Sequence, residues 1–207
     1  MSVHDRSALW DTRTRVFMPH IPPYPPPPPP PPVTEKSLNV HIPQQEQSNW
    51  CWVAVGSGIA SFYDGTVYPQ CYVVTIVFTK IHSGFNTNCC SPTVDASQMP
   101  CNAESGADQA LDNPRHHFAG NVLSPLDLAE ITNQIDQGRP FAAGINWAGG
   151  GAHFVAITGY LLVGTEHAPY VEVQDPASGS SSVYTLRSFT SSYEGNGTWG
   201  WTTLSQP

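Results

Sequence analysis

The sequence predicts an α+β domain in which helices come first and an antiparallel sheet follows. The first observation is helical spacing of apolar residues after Trp50, and the second is a series of short apolar runs separated by glycines and turn residues after residue 140. The third is that the two patterns occupy different parts of the chain, which is typical of α+β rather than alternating folds. With 207 residues, the chain can form one domain with a substantial core.

Proline separates an N-terminal arm from this domain. Twelve of the 21 prolines precede residue 44, and eight are consecutive at residues 25–32. Since each proline ring fixes φ and removes a backbone donor, this run cannot join a helix or a central strand. We expect a polyproline II spacer of roughly 25 Å, with a ligand for a proline-binding domain as the alternative. Residues 1–37 are therefore predicted to be a disordered arm, open to a carrier or secretion partner, and residues 38–207 the folded domain.

The charge of the chain excludes some partners. Residues 1–40 carry a net charge of +1 and the remainder carries −9, with only eight Lys and Arg in the whole chain. Such an acidic domain is unsuited to nucleic acid or to an anionic membrane. We expect no membrane span, because no run of 18 apolar residues occurs, and no Sec signal, because the N-terminal segment lacks an apolar core.

The first helix is predicted from the periodicity that follows Trp50. Apolar residues at positions 52, 55, 59, 62 and 63 share one helical face. Ser48 or Asn49 would be its N-cap, because both side chains can accept a hydrogen bond from a free backbone N–H group.

The second helix and the strands are predicted from caps and turn residues. The segment SPLDLAEITNQIDQG is expected to have Ser124 as N-cap, Pro125 at the first helical position and Gly138 beyond its end. After residue 140 the apolar runs have the length and boundaries of antiparallel strands. We predict strands in PFAAGINW, AHFVAITGYLLV, YVEVQD, SSVYTL and GTWGWTTL.

The segment QQEQSNWCWVAVGSGIASFY places Cys51 between two tryptophans at the start of the first helix. Free N–H groups and the positive end of the helix dipole favour the thiolate there, and a nucleophilic cysteine also needs a base and an oxyanion donor. His153 is a candidate base, because it follows three glycines and begins an apolar run. Asp175 ends the next strand. If the two strands form a hairpin, Asp175 lies near His153 at one end of the sheet.

This ordered set resembles the papain-like cysteine peptidases, most closely their compact bacterial branch, the C39- and C70-type enzymes that use Cys, His and Asp. The resemblance extends over about residues 42–205 and is most specific in the blocks QSNWCW and GGGAHFVAITGY. It implies a papain-like fold, with an N-terminal helical half that carries the nucleophile and a C-terminal antiparallel sheet. It also implies a thiol endopeptidase that cleaves proteins or peptides through an acyl-enzyme, with no cofactor and no metal.

The resemblance further assigns a role to each residue of the set. Cys51 would be the nucleophile, His153 the general base and acid, and Asp175 the residue that orients the imidazole. Gln45, six residues before the cysteine, would be the side-chain donor of the oxyanion hole, beside the backbone N–H of Cys51. Two neighbouring glutamines lack this spacing, Gln44 and Gln47.

The chain departs from the plant and lysosomal members of the family. Its nucleophile follows Ser-Asn-Trp rather than Cys-Gly-Ser, Asp replaces Asn, and only 102 residues separate Cys51 from His153. The tryptophan that those enzymes carry after the orienting residue is missing, since Asp175 is followed by Pro-Ala-Ser. Three other tryptophans are candidates to shield the ion pair: Trp147, Trp199 and Trp201.

Four further cysteines lie within 31 residues: Cys71, Cys89, Cys90 and Cys101. Of the three possible pairings, a bond between the adjacent Cys89 and Cys90 is the least expected, because adjacent residues reach disulfide geometry only with strain. We therefore predict two bridges, one from each adjacent cysteine. Free thiols or a zinc site are the alternatives, and zinc is disfavoured because the chain has no C-x-x-C pair. Disulfides would imply secretion or delivery to another cell, with the cytoplasm as the alternative location.

Two other classes of function share the same residue set. One is a catalytically weak binding or delivery module, and the other is acyl transfer or removal of a protein modifier. The presence of all four site residues favours an active peptidase. Outside the set, His116 and His117 follow Arg115 and are interpreted as a solvated turn.

Overall fold

The structure, a computed structural model, describes residues 33–113, 115–164 and 168–207 of the chain. Most of the arm expected at residues 1–37, including its proline run, lies outside the described residues. Residues 33–37 belong to the sheet rather than to the arm, because they form strand β1 (Val33–Ser37). The folded domain therefore begins before the boundary that the sequence suggested at residue 38.

The described part of the chain contains five helices and seven strands. The helices are α1 (Cys51–Asp64), α2 (Gln70–Ile81), α3 (Ala107–Asp112), α4 (Leu128–Asp136) and α5 (Leu186–Ser192). The strands that follow β1 are β2 (Phe118–Val122), β3 (Phe141–Trp147), β4 (Ala152–Val163), β5 (Ala168–Asp175), β6 (Ser180–Thr185) and β7 (Gly197–Ser205).

All seven strands form one antiparallel sheet, in the order β2-β7-β3-β4-β5-β6, with β1 beside β4. The longest strand, β4, pairs with β3 through residues 152–157 and with β1 through residues 159–163. β1 thus covers the edge of β4 that extends beyond β3, which explains why residues 33–37 join the domain. The five strands predicted after residue 140 are all present, and the predicted α+β class is confirmed.

Both faces of the sheet are covered by helices. Along β4, Phe154 and Ala156 pack in the core that includes α1, α2 and α3, whereas Val155 and Ile157 pack in the core that includes α4 and α5. Successive side chains of a strand point to opposite faces, so a strand that is buried on both sides has a continuous apolar sequence. This arrangement explains why AHFVAITGYLLV shows no polar alternation.

Helix α1 begins at Cys51, close to the predicted start, but its predicted cap is wrong. Trp50 occupies the N-cap position and makes no side-chain capping bond. Asn49 is held elsewhere, because its backbone N–H and side-chain amide both donate to Asn102, at 3.0 and 2.9 Å. Ser48 accepts from the same asparagine at 2.9 Å.

Helix α4 begins later than Ser124 and Pro125 suggested. Its N-cap is Asp127, whose side chain accepts from the backbone of Glu130, while Glu130 accepts in return from the backbone N–H of Asp127. This reciprocal capping box satisfies two free donors at once and therefore outcompetes a serine cap one turn earlier. The predicted end is confirmed, since Gly138 follows the helix with φ of +73°.

The cysteine-rich segment contains a helix that the sequence did not predict. In α2 four residues are fully buried, Val73, Val74, Val77 and Phe78, so packing rather than propensity stabilises this β-branched sequence. Two disulfides connect its first turn and the loop beyond it: Cys71 with Cys90, and Cys89 with Cys101. The prediction that each of the two adjacent cysteines forms its own disulfide is confirmed. The four sulfurs are therefore not free to bind zinc.

The histidine pair does not behave as one solvated turn. His116 is exposed, as expected, but His117 is only 5% exposed. The Nε2 of His117 lies 3.2 Å from Asp64 Oδ2, and its Nδ1 lies 3.0 Å from the carbonyl oxygen of Gln206. These contacts connect the end of α1 to the C-terminal segment, so the predicted solvated turn is correct for His116 alone.

Within the described ranges, every helix is too short or too polar to cross a membrane.

Candidate active site

Cys51 is the first residue of α1, and its thiol is half-buried and free of any disulfide. The helix has no side-chain cap and no acidic residue in its first turn. The first N–H groups of a helix lack intrahelical acceptors, so at an uncapped start they stay available to a ligand. Together with the positive end of the dipole, they favour negative charge on the sulfur or beside it.

The two tryptophans beside the cysteine anchor a neighbouring loop to the start of α1. Trp50 and Trp52 are 0% and 1% exposed. The indole N–H of Trp50 donates to the carbonyl of Cys101 at 2.9 Å, and that of Trp52 donates to the carbonyl of Ala103 at 3.2 Å. The loop at residues 101–103 is therefore hydrogen-bonded to the residue before Cys51 and to the residue after it.

Asn102, in the same loop, is a site residue that the sequence analysis missed. Its Oδ1 accepts from the backbone of Asn49, and its Nδ2 donates to Ser48 Oγ at 2.9 Å and to the carbonyl of Ser97 at 2.9 Å. These bonds fix the residues that lead into Cys51. The only sequence signal was the adjacency of Asn102 to Cys101, a member of the disulfide pair.

His153 is the second residue of β4 and lies just after the turn that joins β3 to β4. Gly150 and Gly151 have φ of +92° and +83°, in the left-handed region where a side chain would be strained. The glycines before His153 thus allow the tight return into β4. Its side chain is 10% exposed, and its Nε2 lies 2.7 Å from Asp175 Oδ1.

Asp175 is the last residue of β5, which pairs antiparallel with β4, so the predicted hairpin is confirmed. Its side chain is 19% exposed. Oδ1 also accepts from the backbone N–H of Ala177 at 2.8 Å, and Oδ2 accepts from the hydroxyl of Tyr193 at 2.6 Å. Tyr193 was not identified from the sequence, because nothing local marks a tyrosine 18 residues away as a partner of this carboxylate.

The hydrogen bonds of the site determine the charges of its residues. Burial lowers the pKa of His153, but the hydrogen bond and negative charge of Asp175, together with the nearby Cys51, outweigh that effect and raise the pKa to about 9. Burial raises the pKa of Asp175, but the hydrogen bonds from His153 and Tyr193 reverse this and lower the pKa. An imidazolium–carboxylate pair is therefore favoured at neutral pH. Since Asp175 contacts Nε2, the nitrogen left for the thiol is Nδ1.

Trp147 is the tryptophan that covers the ion pair. Its ring lies 6.1 Å from that of His153 in a stacked arrangement, with an interplanar angle of 23°. The other two candidates pack elsewhere: Trp199 stacks on Phe141 and Trp201 contacts the edge of Phe154. Trp147, which lies on β3, thus shields the imidazole. No tryptophan follows Asp175 closely enough in the chain to do so.

Gln45 lines the same cleft as Cys51 and His153, whereas Gln44 and Gln47 do not line it. Its Nε2 donates to the carbonyls of Gln47 and Ser48, at 2.9 Å each. Both amide hydrogens are therefore engaged. Its Oε1 is buried without a hydrogen-bond partner among the described residues.

The cleft between the two halves has a volume of about 260 Å³. Glu104 and Ser105 line its helical side, and Trp147 and Phe154 line its sheet side. In the part of the chain that the structure describes, no group of three or more His, Cys, Asp and Glu side chains could hold a metal ion.

A family model described as papain-like cysteine protease AvrRpt2 matches residues 34–194. The match includes α1 with Cys51 and the β4–β5 hairpin with His153 and Asp175. It is a match to the C70 type, so the likeness to the C39 type stays a prediction. No curated protein matches the chain.

Proposed function

The chain belongs to the papain-like cysteine protease family described as AvrRpt2, and from that premise we propose that it is a thiol endopeptidase with Cys51, His153 and Asp175 as its catalytic triad. The observation that carries the proposal is a free thiol at a helix start that lines the same cleft as a histidine, which is itself held 2.7 Å from a carboxylate. The substrates are proteins, as for the family.

The proposed reaction begins from the thiolate of Cys51 and the imidazolium of His153. The sulfur attacks the scissile carbonyl carbon, and the carbonyl oxygen becomes an oxyanion. When the C–N bond breaks, Nδ1 of His153 gives its proton to the leaving amine and an acyl-enzyme forms. Water then attacks the thioester while neutral His153 takes a proton from it, which releases the acid and restores the ion pair. Asp175 stays ionised throughout and orients the imidazole.

We assign the oxyanion hole to the backbone N–H of Cys51 and the side-chain amide of Gln45. The uncapped start of α1 supports the first donor. The position of Gln45 in the cleft supports the second. Because both amide hydrogens of Gln45 already contact carbonyls, one of these bonds must be exchanged for the oxyanion during the reaction.

We further propose that the protein works in an oxidising compartment after secretion or delivery. Two disulfides in a domain of this size support that location, since such bonds persist outside a reducing cytosol. Peptide mapping without reductant should find Cys71–Cys90 and Cys89–Cys101, with Cys51 alone alkylated. A bridge that includes Cys51 would contradict both the disulfide assignment and the mechanism.

The decisive experiment compares the full chain with its Cys51→Ala variant on a mixture of protein substrates, with new peptide termini identified by mass spectrometry. The wild type should create termini that are absent with the variant, while both melt at the same temperature, because the substitution removes the reacting atom and little volume. Cross-linked or acylated peptides without new termini would indicate acyl transfer instead. Equal, inactive samples would indicate a binding module.

A graded series tests the individual roles. His153→Ala should be nearly as severe as Cys51→Ala, because no group then remains to protonate the leaving amine. Asp175→Ala should reduce turnover less, because it loosens the orientation of the imidazole rather than removing a reacting group.

A further inference from the structure

Tyr193 contacts the orienting carboxylate at the oxygen that the histidine does not contact. Its hydroxyl donates to Asp175 Oδ2 at 2.6 Å, while His153 Nε2 and the backbone N–H of Ala177 contact Oδ1. We propose that Tyr193 is a positioning residue of this peptidase, which acts by fixing the carboxylate of Asp175 so that Oδ1 faces the imidazole.

The count of donors supports this role. Oδ1 of Asp175 has two donors, whereas Tyr193 is the only donor to Oδ2 within the described ranges. A carboxylate that accepts hydrogen bonds at one oxygen alone can rotate about the Cβ–Cγ bond, whereas hydrogen bonds to both oxygens fix the plane of the group. Without the hydroxyl, the second oxygen of a carboxylate that is only 19% exposed would lose its protein donor.

Tyr193 is itself held rigidly. It is 1% exposed, and its ring lies 5.5 Å from that of Phe189 and 5.3 Å from that of Tyr184. Its backbone N–H donates to the carbonyl of Gly197 at 2.8 Å, and its carbonyl accepts from the N–H of Gly197 at 2.7 Å. The phenol therefore approaches Asp175 from a fixed turn between α5 and β7.

The hydroxyl stays a donor over the working range of pH. Burial raises the pKa of Tyr193, and the hydrogen bond to Asp175 raises it further. The other titratable groups that face it are Tyr184 and Glu194, and Glu194 accepts a hydrogen bond from the Tyr184 hydroxyl. At neutral pH the hydroxyl of Tyr193 therefore stays protonated and donates to Asp175.

Trp147 connects the tyrosine to the rest of the site. Its ring lies 6.1 Å from that of Tyr193 and 6.1 Å from that of His153. The imidazole thus has an indole against its face and, at its edge, a carboxylate that the phenol holds in place. Tyr193 does not line the cleft, so it acts on the reaction only through Asp175 and Trp147.

The test is Tyr193→Phe in the full chain, which removes the hydroxyl and keeps the ring. We expect kcat to fall about tenfold with KM unchanged, as for a buried partner that orients a reacting group. The acidic limb of kcat/KM should move to higher pH, because the tyrosine hydrogen bond lowers the pKa of Asp175. In an Asp175→Asn background the same substitution should produce no such shift.

Tyr160→Phe is the matched control. Tyr160 is also buried, and its hydroxyl donates to a carboxylate, Asp136, at 3.0 Å outside the cleft. The control should leave kcat and the acidic limb unchanged. Wild-type kinetics in Tyr193→Phe would overturn the proposal. It would also be overturned if kcat fell only in step with thermal stability, without a shift of the limb.

The inference rests on the proposed peptidase function, but it can fail separately from it. The rate at which iodoacetamide alkylates Cys51 can be followed against pH whether or not a substrate is cleaved. If the wild type cleaves nothing while Tyr193→Phe shifts that alkylation profile, the peptidase function fails and the positioning role stands. If the wild type cleaves and neither profile moves, the positioning role alone is overturned.

Discussion

The helical half and the sheet half position their site residues by different means. Cys51 starts a helix whose neighbouring loop is held by indole N–H bonds, by Asn102 and by the disulfide Cys89–Cys101. His153 and Asp175 lie on adjacent strands, where the register of backbone hydrogen bonds brings them to one end of the sheet. None of the cysteines in the described ranges lies in this sheet.

The difference indicates what each half depends on. A strand register repeats along many backbone bonds, so no single contact determines where His153 lies. The loop beside Cys51 has little regular structure, so a few side-chain contacts and a covalent bond determine its position. The position of Cys51 should therefore depend on whether the neighbouring disulfide is intact and on single side chains of the loop. The position of His153 should depend mainly on its own hydrogen-bond partners.

The largest effect should come from removing the disulfides one at a time. Replacing either pair by serine should lower the free energy of unfolding by about 3 kcal/mol, as expected for loops of 12 and 19 residues. Only loss of Cys89–Cys101 should also reduce kcat in the molecules that remain folded, because that bridge holds the loop at residues 101–103. Urea unfolding and turnover at low temperature measure the two effects. Equal losses of kcat from both variants would break the comparison.

The next effect concerns the glutamine of the helical half. Gln45→Ala should lower kcat by ~10²-fold with little change in KM, as for loss of one oxyanion donor. Gln44→Ala is its control, because Gln44 is exposed, donates to the carbonyl of Ala177 and does not line the cleft. Steady-state kinetics on one peptide substrate distinguish the two. If both variants lost activity equally, Gln45 would be a structural residue.

A smaller effect separates the contributions of the two halves to the pKa of His153. Because this pKa is raised from 6.5 to about 9, protonated His153 increases the free energy of unfolding. This contribution is complete below pH 6.5 and is lost as the pH rises through 9. Asp175→Asn from the sheet half should lower the pKa of His153 more than Cys51→Ala from the helical half, since Asp175 hydrogen-bonds the imidazole at 2.7 Å and is the main cause that raises its pKa. NMR titration of the imidazole measures both. The reverse order would mean that the nucleophile controls its own base.

The smallest effect should come from removing the arm. Deleting residues 1–32 should leave the melting temperature unchanged, because β1 remains and the sheet is complete from residue 33. Deleting residues 1–37 is the matched comparison, and it should destabilise the protein because the outer part of β4 then lacks a partner strand. Calorimetry on the two truncations tests this. A large loss from the shorter deletion would show that the arm contributes to the domain.

Local patterns made much of the fold predictable. The five strands after residue 140, helix α1 and the end of α4 follow from periodicity and glycine positions, which act over a few residues. The missed elements β1, α3, β2 and α5 have 5, 6, 5 and 7 residues, too few for a period to be visible. Helix α2 was missed because its β-branched residues favour strands, and burial against the core overrides that preference.

The sequence by itself determined the candidate triad, because Cys51, His153 and Asp175 each mark the boundary of a regular element that local signals reveal. Only the tertiary structure decided which tryptophan covers His153, which cysteines pair and that Tyr193 contacts Asp175. It likewise brought Asn102 to Asn49, 53 residues away in the chain. Contacts of this kind depend on where whole elements pack, and no pattern within a short stretch of sequence records that.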